Sequence, residues 1–183
     1  MNNYEDIFPG SFDPFTIGHE NLILRAIDIF KNAISINEKI EFDIAVAINP
    51  NKKGYFPVEE RCEALKKWAR LFPQFHPEIC NMCKFNICTY DNLTYDYANK
   101  IKADFILRGI RNTIDFEYEK SIADFNKKFG KIETLFLMND PSIIASSTIV
   151  RELLKNIKEE EAMSLFPKGY NILDMSEYYN TFE

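Results

Sequence analysis

His19, Lys52, Arg108 and Arg111 are the residues whose types and surroundings suit chemistry on a phosphate. His19 ends the run Pro9-Gly10-Ser11-Phe12-Asp13-Pro14-Phe15-Thr16-Ile17-Gly18-His19, which follows the apolar pair Ile7-Phe8 and leads into a helical pattern. Pro9-Gly10 ends the apolar run and Asp13-Pro14 forces a turn. Gly18 lets the backbone come close to whatever lies above it. His19 is thereby expected in the first turn of the following helix, where unpaired N–H groups carry partial positive charge. A strand, a tight loop and a helix N-terminus bearing an imidazole together form a seat for phosphate.

Lys52 and Lys53 lie in Asn49-Pro50-Asn51-Lys52-Lys53-Gly54-Tyr55-Phe56, directly after an apolar run. Taken alone this is a solvated turn; beside a phosphate site it supplies a point charge. Arg108-Gly109-Ile110-Arg111 leaves another apolar run, with Gly109 expected to let two guanidinium groups face one site. Arginine suits bidentate contact with phosphate, although a pair of surface salt bridges accounts for the same residues. Asp115-Phe116-Glu117-Tyr118-Glu119 opens a helix with acids at its positive end, a favourable placement in any helix. Thr94 is expected as an N-cap. Ser146, Ser147 and Thr148 put three hydroxyls at a further helix start, able either to cap it or to help hold a polyphosphate.

The elements that must position these residues alternate along the chain. Helical stripes run from His19 to Phe30, Val58 to Phe72, Thr94 to Lys102, Asp115 to Phe129 and Ser147 to Ile157. Strands are expected at Ile7-Phe8, Phe42 to Ile48, Phe85 to Tyr90, Phe105 to Leu107 (ending at Arg108-Gly109) and Thr134 to Met138. The near-continuous apolar run from Phe42 to Ile48 is that of a strand covered on both sides. The expectation is an α/β fold, a Rossmann-like doubly wound parallel sheet of five strands with helices on both faces. Ligands of such a sheet bind beyond the carboxyl ends of its strands. The loops that matter then begin at Pro9, Asn49, Asp91, Arg108 and Asn139.

In family order and with similar spacing, PGSFDPFTIGH, NPNKKGYF, ILRGIRN, DFEYE and SSTIVRE resemble the phosphopantetheine adenylyltransferase family of the nucleotidylyltransferase superfamily. The resemblance runs from Ile7 to about Glu152. It implies transfer of AMP from ATP to 4′-phosphopantetheine with Mg²⁺ as cofactor, no covalent enzyme intermediate, and a cytoplasmic homohexamer. His19, Lys52 and Arg108 would be the catalytic residues. Ser11, Phe12, His19, Gly109, Ile110, Arg111 and Glu119 would bind ATP, together with Ser142, Ile143, Ile144, Ala145, Ser146, Ser147 and Thr148. Ser11, Lys52, Thr94 and Arg108 would bind the acceptor. Ser11 stands where the family often has Thr, and Thr94 where it usually has an apolar residue. Ser142 to Ala145 replace a Trp-Ser-x-Ile-like stretch. No residues are assigned as metal ligands, so the ion is expected on the substrate phosphates.

Length and composition bound the alternatives. At 183 residues the chain is expected as one domain over 1–183, with a surface insertion at 71–84 and a C-terminal helical tail over 158–183. A net charge of −6 argues against broad nucleic-acid binding, which wants a basic face. The apolar runs fall far short of a membrane span, and the N-terminus has no signal-peptide pattern. His76, Cys80, Cys83 and Cys88 could bind zinc in an inserted loop, or the cysteines could be reduced thiols, as in a cytosolic enzyme, or form disulfides. A cytidylyltransferase and a nucleotide-binding module without chemistry remain the rival functions.

Overall fold

Apolar runs become the strands, buried on both sides in the second and only partly buried in the third and fifth, and most of the helices between them turn apolar stripes inward. The computed structural model describes residues 4–31, 39–50 and 53–173. Its strands are β1 (Tyr4–Gly10), β2 (Ile40–Ala47), β3 (Cys83–Tyr90), β4 (Phe105–Ile110) and β5 (Glu133–Met138). The helices are α1 (Ile17–Phe30), α2 (Val58–Phe75), α3 (Thr94–Ile101), α4 (Thr113–Phe125), α5 (Ser147–Lys155) and α6 (Glu159–Met163). The strands form one five-stranded sheet in the order β3-β2-β1-β4-β5, and every pairing is parallel. This is the expected doubly wound α/β sheet. The chain starts at the centre, builds outward to β3, then returns to the other side of β1, so the order reverses between β1 and β4.

Adjacent residues of one strand feed opposite cores. Phe8, Ile44, Val46 and Leu107 pack under α1, α2, α5 and α6. Ile7, Ala45 and Ile106 pack with Ala98 of α3 and with Ile132 on the other face. This two-sided burial is the structural reason why β2 shows no polar alternation. Among the described residues no helix is long and apolar enough to cross a membrane.

Several elements differ from their expected bounds: β1 starts at Tyr4 and continues through Pro9 and Gly10, which pair with Ala45 and Val46 of β2, β3 starts at Cys83, and α5 ends at Lys155. β4 continues through Arg108 and Gly109 to Ile110, because these residues pair with Phe136, Leu137 and Met138 of β5. α2 runs through Pro73 to Phe75; the rings of Trp68 and Phe85 lie 5.3 and 4.8 Å from that of Phe72, and the His76 N–H closes the last turn on the Phe72 carbonyl. α4 stops at Phe125 and widens into a π-helical turn over Asn126–Gly130, where a regular helix to Phe129 was expected.

Asp6 is the anomaly of the central strand. Its carboxylate is fully buried between Phe42 and Phe105 in the sheet register, and neither oxygen has a hydrogen-bond partner. Burial first, then Asp104 and Glu5, pushes its pKa up to about 8. The folded state therefore keeps a proton that the unfolded chain releases near pH 4, so stability falls as pH rises from about 4 to 8. Asp6→Asn is expected to raise stability at pH 8 by roughly 3 kcal/mol and to change it little at pH 4. Urea unfolding of both proteins across this range checks the difference in slope.

Candidate active site

The loop after β1 exposes backbone groups that it cannot satisfy itself, and other elements satisfy them. Arg61 of α2 donates to the Ser11 carbonyl, Arg151 of α5 to that of Asp13 at 2.6 Å, and Ser147 to that of Pro14 at 2.8 Å. The Phe15 N–H donates to the Tyr170 hydroxyl at 3.2 Å. Phe12 adopts a left-handed backbone (φ 44°), and its ring lies so close over Gly10 that a Cβ there would meet it at 2.9 Å. The Asp13 carboxylate accepts the N–H groups of Tyr55 and Phe56 at 2.7 and 2.9 Å, drawing the loop after β2 against the first.

His19 lies in the first turn of α1, as expected, and closes a capping box. Its Nδ1 accepts the Thr16 N–H at 3.0 Å, while Thr16, the N-cap, accepts from the helix. An Nδ1 that accepts leaves the proton on Nε2. The ring stacks on Phe15 (centroids 5.4 Å, 17° between planes) and meets the Phe12 ring edge-on at 5.3 Å. Burial, then the charges of Arg111 and Arg108, pushes its pKa down to about 4. At neutral pH His19 is an uncharged Nε2–H donor with a fixed ring.

The two arginines of the Arg-Gly-Ile-Arg segment are held by carboxylates of α4. Arg108 grips Glu119 through Nε at 2.7 Å and through one terminal nitrogen, while the other donates to the Pro9 carbonyl. Three of its five N–H groups are thus engaged and two remain. Arg111 pairs with Asp115 at 2.6 and 3.0 Å. Gly109 serves packing: a Cβ there would lie 2.3 Å from Leu22 Cδ1 on α1. Gly18 serves a loop crossing, since its Cβ would lie 2.8 Å from the Ala145 carbonyl.

Two cavities open where the strand order reverses. The first, of about 290 Å³, is lined by His19 and Phe12, by Gly109, Ile110, Arg111 and Glu119, and by Ala145, Ser146, Ser147 and Thr148. The second, of about 210 Å³, is walled by Ala47, Tyr90, Thr94, Ile122 and Asn126. Pro9, Gly10, Ser11 and Arg108 line both.

Other expected residues are placed differently. Ser142, Ile143 and Ile144 do not line either cavity: Ser142 closes its own turn on Asp140 at 2.6 and 2.8 Å, and Ile144 is 76% exposed. Thr94 follows the N-cap, Leu93, instead of being it, and its hydroxyl lies 3.1 Å from that of Tyr90. Lys52 lies outside the described residues. His76, Cys80, Cys83 and Cys88 have separate partners. His76 stacks on Phe72, Cys80 and Cys83 bond the Pro77 and Ile79 carbonyls, and Cys88 accepts from Tyr97. Among the described residues no three His, Cys, Asp or Glu side chains gather to hold a metal. Sequence reasoning missed Asn126, which the π-turn places in the second cavity with 3% exposure. Its one signal was a polar residue one place after Phe125 and three before Phe129 on an otherwise regular stripe.

A phosphate-seating loop, a helix-borne imidazole and paired arginines at the sheet's reversal point are features of a nucleotidyltransferase. Residues 7–153 match the family model described as cytidylyltransferase-like. Curated relatives named phosphopantetheine adenylyltransferase include that of Bacteroides fragilis, 42% identical over 89% of this chain and 95% of its own. That of Flavobacterium johnsoniae is 42% identical over 86% and 91%, and that of Leptospira biflexa 41% over 82% and 83%. The chain belongs to the cytidylyltransferase-like family and, within it, to the phosphopantetheine adenylyltransferase family.

Gly109→Ala is expected to destabilise the protein by about 2 kcal/mol through the clash with Leu22, and Leu22→Ala to recover part of that loss in the double variant. Thermal unfolding of the three variants reads this. The His19 imidazole is expected to titrate near pH 4 by NMR. Because the folded pKa lies below the unfolded one, its contribution to stability is full above about pH 6.5 and lost as pH falls toward 4.

Proposed function

We propose that the protein transfers the adenylyl group of ATP to 4′-phosphopantetheine, giving dephospho-coenzyme A and pyrophosphate. The observation that carries this reading is the pair of cavities meeting at Pro9, Gly10, Ser11 and Arg108. A two-substrate transfer needs two pockets whose ends touch at the reacting phosphorus.

ATP occupies the first cavity, its phosphates facing the N-termini of α1 and α5. The acceptor occupies the second, its phosphate toward Arg108 and its amide-bearing arm along Tyr90, Thr94 and Asn126. A phosphate oxygen of the acceptor attacks the α-phosphorus; the new P–O bond forms as the bond to the β-phosphate bridging oxygen breaks, and pyrophosphate leaves with that electron pair. The nucleophile is already anionic, so no general base and no covalent enzyme intermediate are required. The protein supplies alignment and fixed donors for charge growing on the equatorial oxygens. Those donors are the Nε2–H of His19, the two remaining N–H groups of Arg108 and the Ser11 hydroxyl; Lys52 is assigned with them by the family resemblance alone.

Mg²⁺ accompanies ATP in this reading. The cavity carboxylates Asp115 and Glu119 are engaged by arginines, and among the described residues no group of three acidic, His or Cys side chains faces a common point. That donor set does not fit a protein-held ion, so phosphate oxygens and water would ligate it, and no step is routed through it. The same reading places the enzyme in the cytoplasm as a homohexamer. The exposed Ile114, Tyr118 and Met138 of α4 and β5 offer apolar surface for such assembly.

Pyrophosphate release is expected with ATP and phosphopantetheine and not with CTP and glycerol phosphate; the opposite preference would assign a cytidylyltransferase. His19→Ala is expected to keep ATP affinity within about tenfold while lowering kcat by about 10²-fold or more. Asn126→Leu is expected to raise KM for phosphopantetheine about tenfold and leave that for ATP unchanged. Steady-state kinetics with each substrate varied in turn separate these effects.

A further inference from the structure

The segment after α6 lies across the start of α1, far in sequence from the residues it touches. The Leu165 carbonyl accepts the Ile17 N–H at 2.9 Å. Tyr170, 155 positions after Phe15, is buried and accepts the Phe15 N–H on its hydroxyl at 3.2 Å. The Tyr170 ring lies 5.6 Å from that of Phe15 and 5.5 Å from that of Phe166. Phe15 is fully buried, with Trp68 at 5.0 Å and the imidazole of His19 stacked on it at 5.4 Å.

We infer that Tyr170 is a positioning residue for the His19 imidazole, acting through Phe15. The Phe12 ring meets that imidazole edge-on and the Thr16 hydroxyl lies 3.0 Å from its Nδ1, and two further restraints flank the Phe15 backbone: the Phe15 ring beneath the imidazole, and the Thr16 N–H that bonds Nδ1. Both belong to consecutive residues, so a turn of the Phe15 backbone moves both together. The Tyr170 hydroxyl bonds that backbone directly. Without it a buried N–H has no acceptor, and the loop relieves this by rotating the Phe15 peptide toward another partner. The ring of Phe15 and the N–H of Thr16 then leave their places, and Nε2–H no longer points where charge develops. Neither restraint depends on the charged residues of the cavity.

Tyr170→Phe keeps the ring contacts and removes only the oxygen. The kinetic arm of the test rests on the adenylyl-transfer reading; the spectroscopic arm does not. The variant is expected to lose about tenfold in kcat with both KM values within twofold of the parent. The chain has two histidines, so ¹⁵N spectra of the imidazoles are simple to assign. His19 is expected to change from a single Nε2–H tautomer to a mixture, with His76 unmoved. Phe15→Leu is expected to lower kcat by itself, and adding Tyr170→Phe to it to lower kcat no further. A parent-like His19 tautomer in Tyr170→Phe, with or without a lower Tm, overturns the inference, as do additive losses in the double variant. A wild-type protein that releases no pyrophosphate overturns the adenylyl-transfer reading alone, because the tautomer measurement still decides the role of Tyr170.

Discussion

Backbone carbonyls and amides of a six-residue turn must find partners, and residues 11–16 find almost none among themselves. Guanidinium groups from α2 and α5, a hydroxyl at the start of α5 and the phenol of Tyr170 meet them from outside. Each bond supplies a partner for a group whose burial unpaired would be costly. Together they set the path of the chain to α1, and with it the capping box that holds His19. The left-handed backbone of Phe12 persists because its surroundings over-determine it. Precision at the imidazole is therefore a property of the whole α1 face of the sheet, not of the motif.

The charges near the two cavities follow a complementary logic. Cations chosen for phosphate are unstable neighbours in the absence of one, and α4 supplies the counter-charges in its first two turns. Glu119 holds Arg108 in a planar fork, so the guanidinium is oriented before any ligand arrives. His19 contributes no charge of its own; its burial, and after that the nearby arginines, keep it neutral. A neutral donor beside fixed cations avoids adding a third positive group to a confined space. It also makes the donor's protonation insensitive to pH near neutrality, so geometry governs its usefulness.

Much of this was legible from local signals. The five parallel strands follow from apolar runs separated by amphipathic stripes, and the phosphate seat follows from a Gly/Pro loop feeding a helix with His19 in its first turn. What escaped was set by tertiary packing. Gly109 looks like freedom for two arginines, yet its missing Cβ makes room for Leu22. Gly18 looks like room for a ligand, yet the Ala145 backbone fills it. Pro73 looks like a helix stop, but Phe72 is anchored between Trp68 and Phe85 and the helix passes through. Asn126 reaches the second cavity because α4 widens to π geometry there, which 3.6-residue periodicity cannot anticipate. Ser142 to Ile144 are polar and apolar in a plausible pattern, but Asp140 captures Ser142 in a local turn.

The tie between residue 15 and residue 170 has a consequence for how the molecule comes into being. Contacts between segments so far apart in sequence close late, because long loops must first lose their freedom. During synthesis the central strands can collapse with α1 and α2 while the strap that completes the turn is still inside the ribosome. The loop before α1 is thus finished by a segment made 155 residues after it. A nascent chain of this protein acquires its sheet before it acquires a working centre.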